Sequence, residues 1–305
     1  MESGLTPGTL RFSLTTLYGS NFEGGHFSRG GTAPDGSGMP VPIYRHEVSL
    51  DYVRVELGLQ YTIAPGWDLI GRIPWEHKDQ QAAVAFIDAA TPAERDAMQR
   101  NIDLHHRSVT LRGVVDVMLL GRGRWSGIWR EGDAFAISAG ASLPTGKTVE
   151  NPYLLGAQGK QHIHIQFGTG TIDPLLETSY HMPLAGRFSA GGYLAGRFPF
   201  YDNERTFHAP PDVTLGAHIA HRSTDRLQLR IEGAMYAQGY GYWDGVRDEN
   251  TGLFATSATI GATYQLRDVS ISGDIRYPIS QRTLTEGDAF KQGPTIVMSI
   301  GGRIR

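Results

Sequence analysis

The chain has 305 residues with 39 glycines and no cysteine, its hydrophobic content is 40%, and its formal net charge is −3. The lack of cysteine excludes disulfides and thiolate chemistry, and the near-neutral charge gives no reason to expect nucleic-acid binding. No apolar run approaches the ~18 residues of a membrane helix, which excludes a helical membrane protein and leaves a barrel open, because barrel strands alternate apolar and polar residues.

The first predicted strand covers about 9–17, and a Gly/Pro/Ser-rich stretch at 18–45 is predicted to be a long loop. Residues 53–63 and 67–76 then alternate between a mainly apolar and a mainly polar face around the turn Ala64-Pro65-Gly66. A period of two on both sides of a Pro-Gly turn predicts a β-hairpin. Each strand has about the ~9–11 residues that a tilted transmembrane β-strand needs.

The next segment, 78–106, is predicted to be a second long excursion that contains a short helix at about 92–102. Thr91-Pro92-Ala93-Glu94 has the spacing of a capping box with proline at the first helical position. Strand four is predicted at about 107–121, with Val109 and Leu111 outward and Arg112 inward. The remaining strands are predicted at about 135–143, 162–180 (with a bend at 168–170), 187–198, 211–221, 226–237, 253–266, 269–279 and 293–304.

The connections between these strands alternate in length. Short ones fall near 64–66, 182–186, 222–225 and 266–268, with 122–134 intermediate, and long ones at 18–45, 78–106, 144–161, 199–210, 238–252 and 280–292. Short periplasmic turns that alternate with long extracellular loops are typical of outer-membrane barrels. The sequence therefore predicts an all-β protein, a transmembrane antiparallel up-and-down β-barrel of about 12 strands that forms one domain over 1–305 in a bacterial outer membrane.

Outward aromatic residues give a second indication of a membrane barrel. One set is predicted near the short turns and another near the long loops, as the two girdles of such barrels require. The first set is Tyr61, Trp67, Phe135, Tyr180, Phe188 and Tyr264, and the second is Trp75, Phe167, Phe198, Phe254 and Tyr277.

The ends of the chain carry two further expectations. It opens MESGLTPG without an apolar signal segment, which an exported barrel needs, so we expect that this segment has been removed. Outer-membrane barrels generally end on an outward aromatic residue, whereas here the outward face of the last strand ends at Ile304 and the chain at Arg305. Either a terminal residue is missing after Arg305, or Ile304 takes its place.

Three motifs in the middle of the chain resemble the outer-membrane proteins of the meta-pathway phenol-degradation family. They are GVVDV at 113–117, ASLPTGK at 141–147 and FGTGTID at 167–173. The resemblance covers about 48–305 and implies a barrel of about twelve strands that passes small, often aromatic or hydrophobic, molecules. It implies no catalytic residues and does not define the solute.

Charged residues are predicted on the inner faces of the strands, where their signs nearly balance. Such a lining favours a narrow or filled interior, in which the charges either satisfy one another or line a solute path and its constriction. The predicted lumen residues are Arg54, Glu56, Arg72, Glu76, Arg112, Asp116, Asp173, Glu177, Arg197, Arg230, Glu232, Asp274 and Arg276.

The 11 histidines concentrate at strand ends near the long loops. Without any cysteine, converging imidazoles could hold Zn²⁺ or Cu²⁺, although no tight ligand motif is present. The alternative is a solvated polar rim. The predicted metal ligands are His46, His77, His105, His106, His162 and His164, with His162 and His164 expected side by side on one strand.

The sequence therefore favours an outer-membrane channel or uptake barrel for small solutes, surrounded by outer-membrane lipid and without a bound cofactor. One alternative is a barrel whose histidine-rich mouth binds a metal or whose long loops bind a protein partner. A lipid-acting enzyme is the third hypothesis, because His106-Arg107-Ser108 and His221-Arg222-Ser223 bring the residue types of a hydrolase together. Neither motif has a nucleophile elbow or a third group, so no enzyme is expected.

Overall fold

Alternating apolar and polar residues form β-strands through most of the chain in the computed structural model, which describes residues 6–284 and 291–304. Arg305 and the middle of the predicted 280–292 loop lie outside the described residues. The strands are β1 Leu10–Thr32, β2 Gly38–Ala64, β3 Trp67–Phe86, β4 Val109–Val114, β5 Val117–Ser126, β6 Ala134–Leu143, β7 Asp173–Pro183, β8 Phe188–Arg197, β9 Phe207–His208, β10 Asp212–Arg222, β11 Leu227–Gln238, β12 Tyr242–Trp243, β13 Val246–Arg247, β14 Leu253–Leu266, β15 Val269–Thr283 and β16 Thr295–Ile304. The helices are α1 Pro92–His105 and α2 Pro152–Ala157.

The large sheet closes on itself as an antiparallel barrel. Strand β1 pairs with both β2 and β16, so no edge remains at the junction of the two chain ends. Strands β4 and β5 both pair with β3 and together form one position of the wall, which gives the predicted barrel of twelve strands. The short strands β9, β12 and β13 form a separate small sheet in the loops.

The outer face of the barrel is an apolar belt with aromatic residues at its two ends. On β3, Trp67 and Trp75 are exposed at the ends, and Leu69 and Ile73 are exposed between them. The eight steps from Trp67 to Trp75, at ~3.3 Å each, give roughly 26 Å along the strand. At a strand tilt of about 40° this spans roughly 20 Å of membrane thickness, slightly less than the ~25 Å apolar band of a transmembrane barrel. Other exposed residues of the predicted girdles are Tyr61, Phe188 and Tyr264 at the short-turn end, and Phe198, Phe254 and Tyr277 at the long-loop end.

A bulge between β4 and β5 reverses the predicted faces of β4. Trp75 pairs with Val114, but Arg72 pairs with Met118, so the β4–β5 side of this ladder holds one extra residue. One inserted residue moves every side chain beyond it to the opposite face. Arg112 therefore lies on the outer face beside His77, and its predicted position in the lumen is wrong.

The predicted loop at 18–45 is wrong, because these residues extend β1 and β2 into a long two-stranded ribbon with a tight turn at 33–37. Register shifts after Gly19 and Ser28 and a positive φ at Asn21 accommodate the glycine-rich sequence without ending the strands. The third strand of this extension is the end of β3, which runs to Phe86.

Helix α1 packs on the inner face of this extension. The predicted capping box is present, since Thr91 accepts a hydrogen bond from the backbone N–H of Glu94 and Glu94 accepts one from that of Thr91. Met98 and Ala97 are fully buried against Val41 and Tyr44 of β2. No helix among the residues that the structure describes is long and apolar enough to cross a membrane.

Strand β7 begins at Asp173, so the strand predicted at 162–180 is shorter than expected. Residues 158–172 are irregular and fold against the inside of the barrel, and His162 and His164 do not lie on a strand. Phe167, predicted for the outer girdle, is buried and lines an internal cavity.

Candidate functional site

A layer of ion pairs crosses the barrel interior from β2 and β3 towards β7. Arg54 pairs with Glu56 at 2.9 Å and with Glu76 at 3.1 Å. Arg72 reaches Glu177 with two hydrogen bonds, of 2.5 and 2.8 Å. Because β5 and β6 lie between β3 and β7 in the wall, the second pair spans part of the lumen rather than neighbouring strands. A bidentate arginine–carboxylate pair fixes both side chains.

A second polar network lies on the wall formed by β11, β14 and β15. Arg230 pairs with Asp274 at 2.7 Å and with Glu232 at 3.3 Å, and Glu232 accepts a hydrogen bond from the Tyr193 hydroxyl at 2.9 Å. The Nε of Arg276 is buried and has no hydrogen-bond partner among the described residues.

Two cavities lie on either side of the first ion-pair layer. The short-turn cavity, about 370 Å³, is lined by Glu56 and Arg72 together with Arg11, Gln60 and Arg122. The long-loop cavity, about 470 Å³, is lined by charged residues (Arg54, Glu76, Lys78, Arg197), aromatic residues (Phe167, Phe207, Trp243) and histidines (His26, His105, His106, His164). Since Arg54 and Glu56 are adjacent on the inner face of β2 and line different cavities, their ion pair lies at the boundary.

The three motifs quoted for the family resemblance meet at one point of this interior. Asp116 is buried and accepts hydrogen bonds from the backbone N–H of Gly146 and from both the N–H and the hydroxyl of Thr169, at 2.8 to 3.1 Å. A Cβ on Gly168 would lie 2.4 Å from the Asp116 carboxylate, so glycine is needed there. Asp116 points inward and thus connects the 144–172 loop, through these hydrogen bonds, to the barrel wall between β4 and β5.

The remaining predicted lumen residues also lie on the inner face. Asp173 is fully buried and accepts a hydrogen bond from the Thr171 hydroxyl at 2.5 Å. Arg197 donates two hydrogen bonds to Asp212 on the neighbouring strand. Of the charged set predicted for the lumen, Arg112 alone is on the outer face.

Three histidines converge at the long-loop end. The rings of His26 and His46 stack at 4.6 Å, and His106 stands edge-on to both at 5.2 and 5.4 Å. Each can place one ring nitrogen within 4.8 Å of the other two. His26 and His46 are paired across β1 and β2, and His106 follows the last residue of α1.

The backbone of this cluster depends on a glycine. Gly25 has a φ of +148°, and a Cβ there would lie 2.1 Å from the His46 carbonyl oxygen. Only glycine allows the two strands to approach this closely, and the approach brings His26 beside His46.

A second group of histidines adjoins the first. His105 Nδ1 and His162 Nε2 share a hydrogen bond of 3.2 Å. His164 stacks on His106 at 5.4 Å and lies 5.2 Å from His162, and its Nδ1 is buried without a hydrogen-bond partner among the described residues. The sixth predicted ligand, His77, accepts a hydrogen bond from Arg112 on the outer face, so its predicted place in the cluster is wrong.

Burial favours the neutral form of four clustered imidazoles, those of His46, His105, His106 and His164. Desolvation, followed by neighbouring histidines, lowers the pKa of His46 and of His164 to about 3. Desolvation likewise lowers the pKa of His106, with further lowering by His164, and the pKa of His105, with further lowering by His162. Neutral imidazoles have a nitrogen lone pair, as metal ligation and hydrogen-bond acceptance both require.

The two serine–histidine motifs do not form a hydrolase site in the described residues. His221 Nδ1 and Ser223 Oγ share a hydrogen bond of 3.2 Å at a short turn, and the His221 ring packs on Phe188. No carboxylate or amide side chain hydrogen-bonds to His221 among the described contacts. Ser108 instead bonds the backbone of Ala82, away from the His106 ring.

Sequence reasoning missed three residues of the histidine cluster. His26 was expected in a loop, whereas its place on β1 follows from its pairing with His46. Tyr44 and Asn101 contact His46 from β2 and α1. The alternation of Tyr44, His46, Val48 and Leu50 on one face of β2 was the available signal for the strand extension.

No family model matches the chain, and no curated protein matches it in sequence. The fold is similar to that of an outer-membrane channel from Pseudomonas putida F1, with a TM-score of 0.62 and 9% identity over 98% of this chain and 97% of that one. Matches with lower scores include a Pseudomonas aeruginosa FadL homologue (TM-score 0.44, 9% identity, 97% and 90% covered) and the P. putida toluene transporter TodX (TM-score 0.40, 8% identity, 98% and 90% covered). The first similarity establishes a shared barrel fold.

Proposed function

We propose that this protein is an outer-membrane channel for the uptake of small solutes that combine an apolar, often aromatic, part with polar groups. The observation that carries the proposal is the pair of cavities within one closed barrel, separated by the ion pairs of Arg54. The apolar outer belt with aromatic ends supports a location in the outer membrane, with the long loops outside the cell.

The lining of the long-loop cavity supports the solute class. Phe167, Phe207 and Trp243 supply flat apolar surfaces, and Lys78 lies over the Phe167 ring at 4.8 Å. Side chains of both charge signs border the same space, so neither anions nor cations are strongly favoured there. An aromatic molecule with polar substituents matches both parts of this lining.

The barrel fold supports this proposal, because an outer-membrane channel from P. putida F1 has a similar barrel. This similarity supports the architecture and not the solute. Membership of the meta-pathway phenol-degradation family is part of the proposal, supported by the three motifs that meet at Asp116. One lower-scoring match is a toluene transporter, but its solute carries no weight for this chain. The solute class proposed here rests on the residues that line the long-loop cavity.

Flux measurements test the proposal. We expect purified protein to produce discrete conductance steps in planar bilayers and to admit a small aromatic acid into liposomes. Gln60→Trp places a bulky ring in the short-turn cavity without removing an ion pair, and we expect it to reduce both signals. Gln99→Trp, on the exposed face of α1, is the matched control and should leave them unchanged.

A complete lack of conductance and of flux in the wild-type protein would refute the channel. Equal signals in wild type, Gln60→Trp and Gln99→Trp would place the solute path outside the two cavities and refute the route proposed here.

A further inference from the structure

We propose that His26, His46 and His106 form a binding site for a divalent transition-metal ion, Zn²⁺ or Cu²⁺, in the wall of the long-loop cavity. The site is built from three elements, β1, β2 and the end of α1, that meet only in the folded protein. The inference does not rest on the channel function, because metal binding is a property of these side chains whether or not solute passes.

The spacing of the three rings is close to that of a zinc site. Each of the three can offer a ring nitrogen within 4.8 Å of the other two. For a Zn–N distance of ~2.1 Å the nitrogens of a tetrahedral site lie roughly 3.4 Å apart, so each would move inward by at most about 0.8 Å. His26 is exposed and can rotate towards the other two rings, and small rotations of His46 and His106 would bring those two nitrogens together.

The hydrogen bonds around His46 fix its tautomer. The Tyr44 hydroxyl has a single proton, which it donates to the Gly30 carbonyl oxygen at 2.7 Å. The same hydroxyl oxygen lies 2.8 Å from His46 Nε2, so it accepts a hydrogen bond from Nε2, which carries the proton. The Asn101 amide nitrogen lies 3.4 Å from Nε2 but donates its two protons to the Tyr44 hydroxyl and the Gly30 carbonyl oxygen. His46 Nδ1 is then the nitrogen with a lone pair.

That lone pair is buried and unused. His46 Nδ1 has no hydrogen-bond partner among the described residues, which is a costly arrangement for a buried polar atom. A metal ion would satisfy it. The hydrogen bond between His46 Nε2 and the Tyr44 hydroxyl is of the outer-shell kind that orients a metal-binding histidine. The Asn101 side-chain amide donates to the same hydroxyl at 2.8 Å and holds it in place.

The donor set defines the ion class. Three imidazoles without a carboxylate suit zinc, copper or nickel and do not suit Mg²⁺ or Ca²⁺, which require oxygen ligands. His26 and His106 both line the long-loop cavity, so a fourth coordination position is open to it. A water molecule or a donor atom from a bound molecule would complete the coordination.

The histidines of the second group provide an internal comparison. His105 and His162 already satisfy one another through their shared hydrogen bond. His164 Nδ1 is buried without a partner, as His46 Nδ1 is, but among the described residues only His26, His46 and His106 place three ligand atoms within 4.8 Å of one another. We therefore assign the site to the first group.

Calorimetric titration of the purified chain with Zn²⁺, in detergent, tests the site. We expect one ion per chain in the wild type. His26→Ala and His106→Ala should each weaken binding by more than about 100-fold, since losing even an outer-shell partner costs about 10–100-fold. Tyr44→Phe, which removes the hydroxyl that orients His46, should weaken it by about 10–100-fold.

Two histidine variants serve as controls. His77→Ala lies on the outer face and His105→Ala in the second group, and both should bind Zn²⁺ as the wild type does. The visible absorption of Co²⁺ bound in place of Zn²⁺ should show tetrahedral coordination in the wild type and not in His106→Ala. Retained resistance to unfolding on heated gels would establish that each variant is folded.

Three results would overturn the assignment. They are no saturable binding of Zn²⁺ to the wild type, unchanged affinity in folded His26→Ala and His106→Ala, or a loss that appears in His105→Ala instead. None of these results bears on conductance, so a failed metal site and a failed channel are distinguishable.

Discussion

Glu177→Gln is the substitution that most directly probes the ion-pair layer. In the wild type Glu177 holds Arg72 through two short hydrogen bonds and lies 4.0 Å from Arg122. The amide is nearly isosteric with the carboxylate but uncharged. The group of two arginines and one glutamate thus changes from one net positive charge to two, in the barrel interior between the two cavities.

The size of the effect follows from Coulomb's law. An added unit charge about 8 Å from a passing ion changes its energy by roughly 0.5 kcal/mol in water, and by more where the lumen excludes water. That energy raises anion occupancy by about 2.3-fold and lowers cation occupancy by about 2.3-fold, since ~1.4 kcal/mol is tenfold. We therefore expect the anion-to-cation permeability ratio to rise by about fivefold in Glu177→Gln.

The reversal potential in a KCl gradient across a planar bilayer measures this ratio. Asp225→Asn is the matched control, because it also removes one carboxylate but from an exposed turn, where Asp225 faces Arg187 at 3.9 Å. We expect its reversal potential to equal that of the wild type. If Glu177→Gln gave the same potential as well, the Arg72–Glu177 pair would not border the ion path and the reasoning would be refuted.

Three further substitutions test the structure around the cavities. Asp116→Asn removes the charged acceptor of three hydrogen bonds and should lower the free energy of unfolding by about 2–4 kcal/mol, measured by thermal unfolding. Asp96→Asn, on the exposed face of α1, is the control and should leave it unchanged. Met98→Ala should cost about 2–5 kcal/mol of packing between α1 and β2 and speed amide exchange in α1, with the exposed Gln99→Ala as control. Gly25→Ala should speed amide exchange at 44–47 more than Gly36→Ala does, because both glycines have positive φ but only a Cβ at Gly25 would meet a backbone atom, the His46 carbonyl oxygen. Equal exchange rates in the two variants would contradict the close approach of the strands.

The barrel could be predicted from the sequence because its wall obeys one simple rule. Lipid on one side and polar lumen on the other impose a period of two on the strands, and residues 53–63 and 67–76 show it clearly. The strand at 253–266 was predicted with the bounds that the structure gives, Leu253–Leu266. The capping box of α1 could also be predicted from the sequence, because it depends on four consecutive residues.

The errors arise where one residue or one tertiary contact decides the outcome. The bulge after Val114 adds a single residue to the β4–β5 side of the ladder. Continuing one alternating register through this bulge placed Arg112 on the inner face, which is wrong. Glycines at 18–45 were read as loop formers. In the structure Gly25 is required by the close approach of a neighbouring strand, a contact that the local sequence does not reveal.

The histidine cluster combines both situations. Concentration of histidines near the long loops was visible in the sequence, and the structure brings His46, His105, His106, His162 and His164 into one region. The identity of the converging trio was not predictable, because it depends on the register of β1 with β2 and on where α1 ends.

The two cavities differ in the residues that line them, and for the proposed channel this difference predicts where a solute would be selected. The long-loop cavity presents aromatic rings and imidazoles beside charged groups, whereas the short-turn cavity is lined mainly by polar and charged residues. A molecule held by Phe167 and Trp243 must give up those contacts to pass the Arg54 and Arg72 ion pairs. Because these side chains are fixed to one another by short hydrogen bonds, the barrier depends on the solute's own polar groups, which can replace a partner as it passes. We therefore expect solutes without such groups to be held in the first cavity, which agrees with proposed substrates that carry both an aromatic part and a polar one.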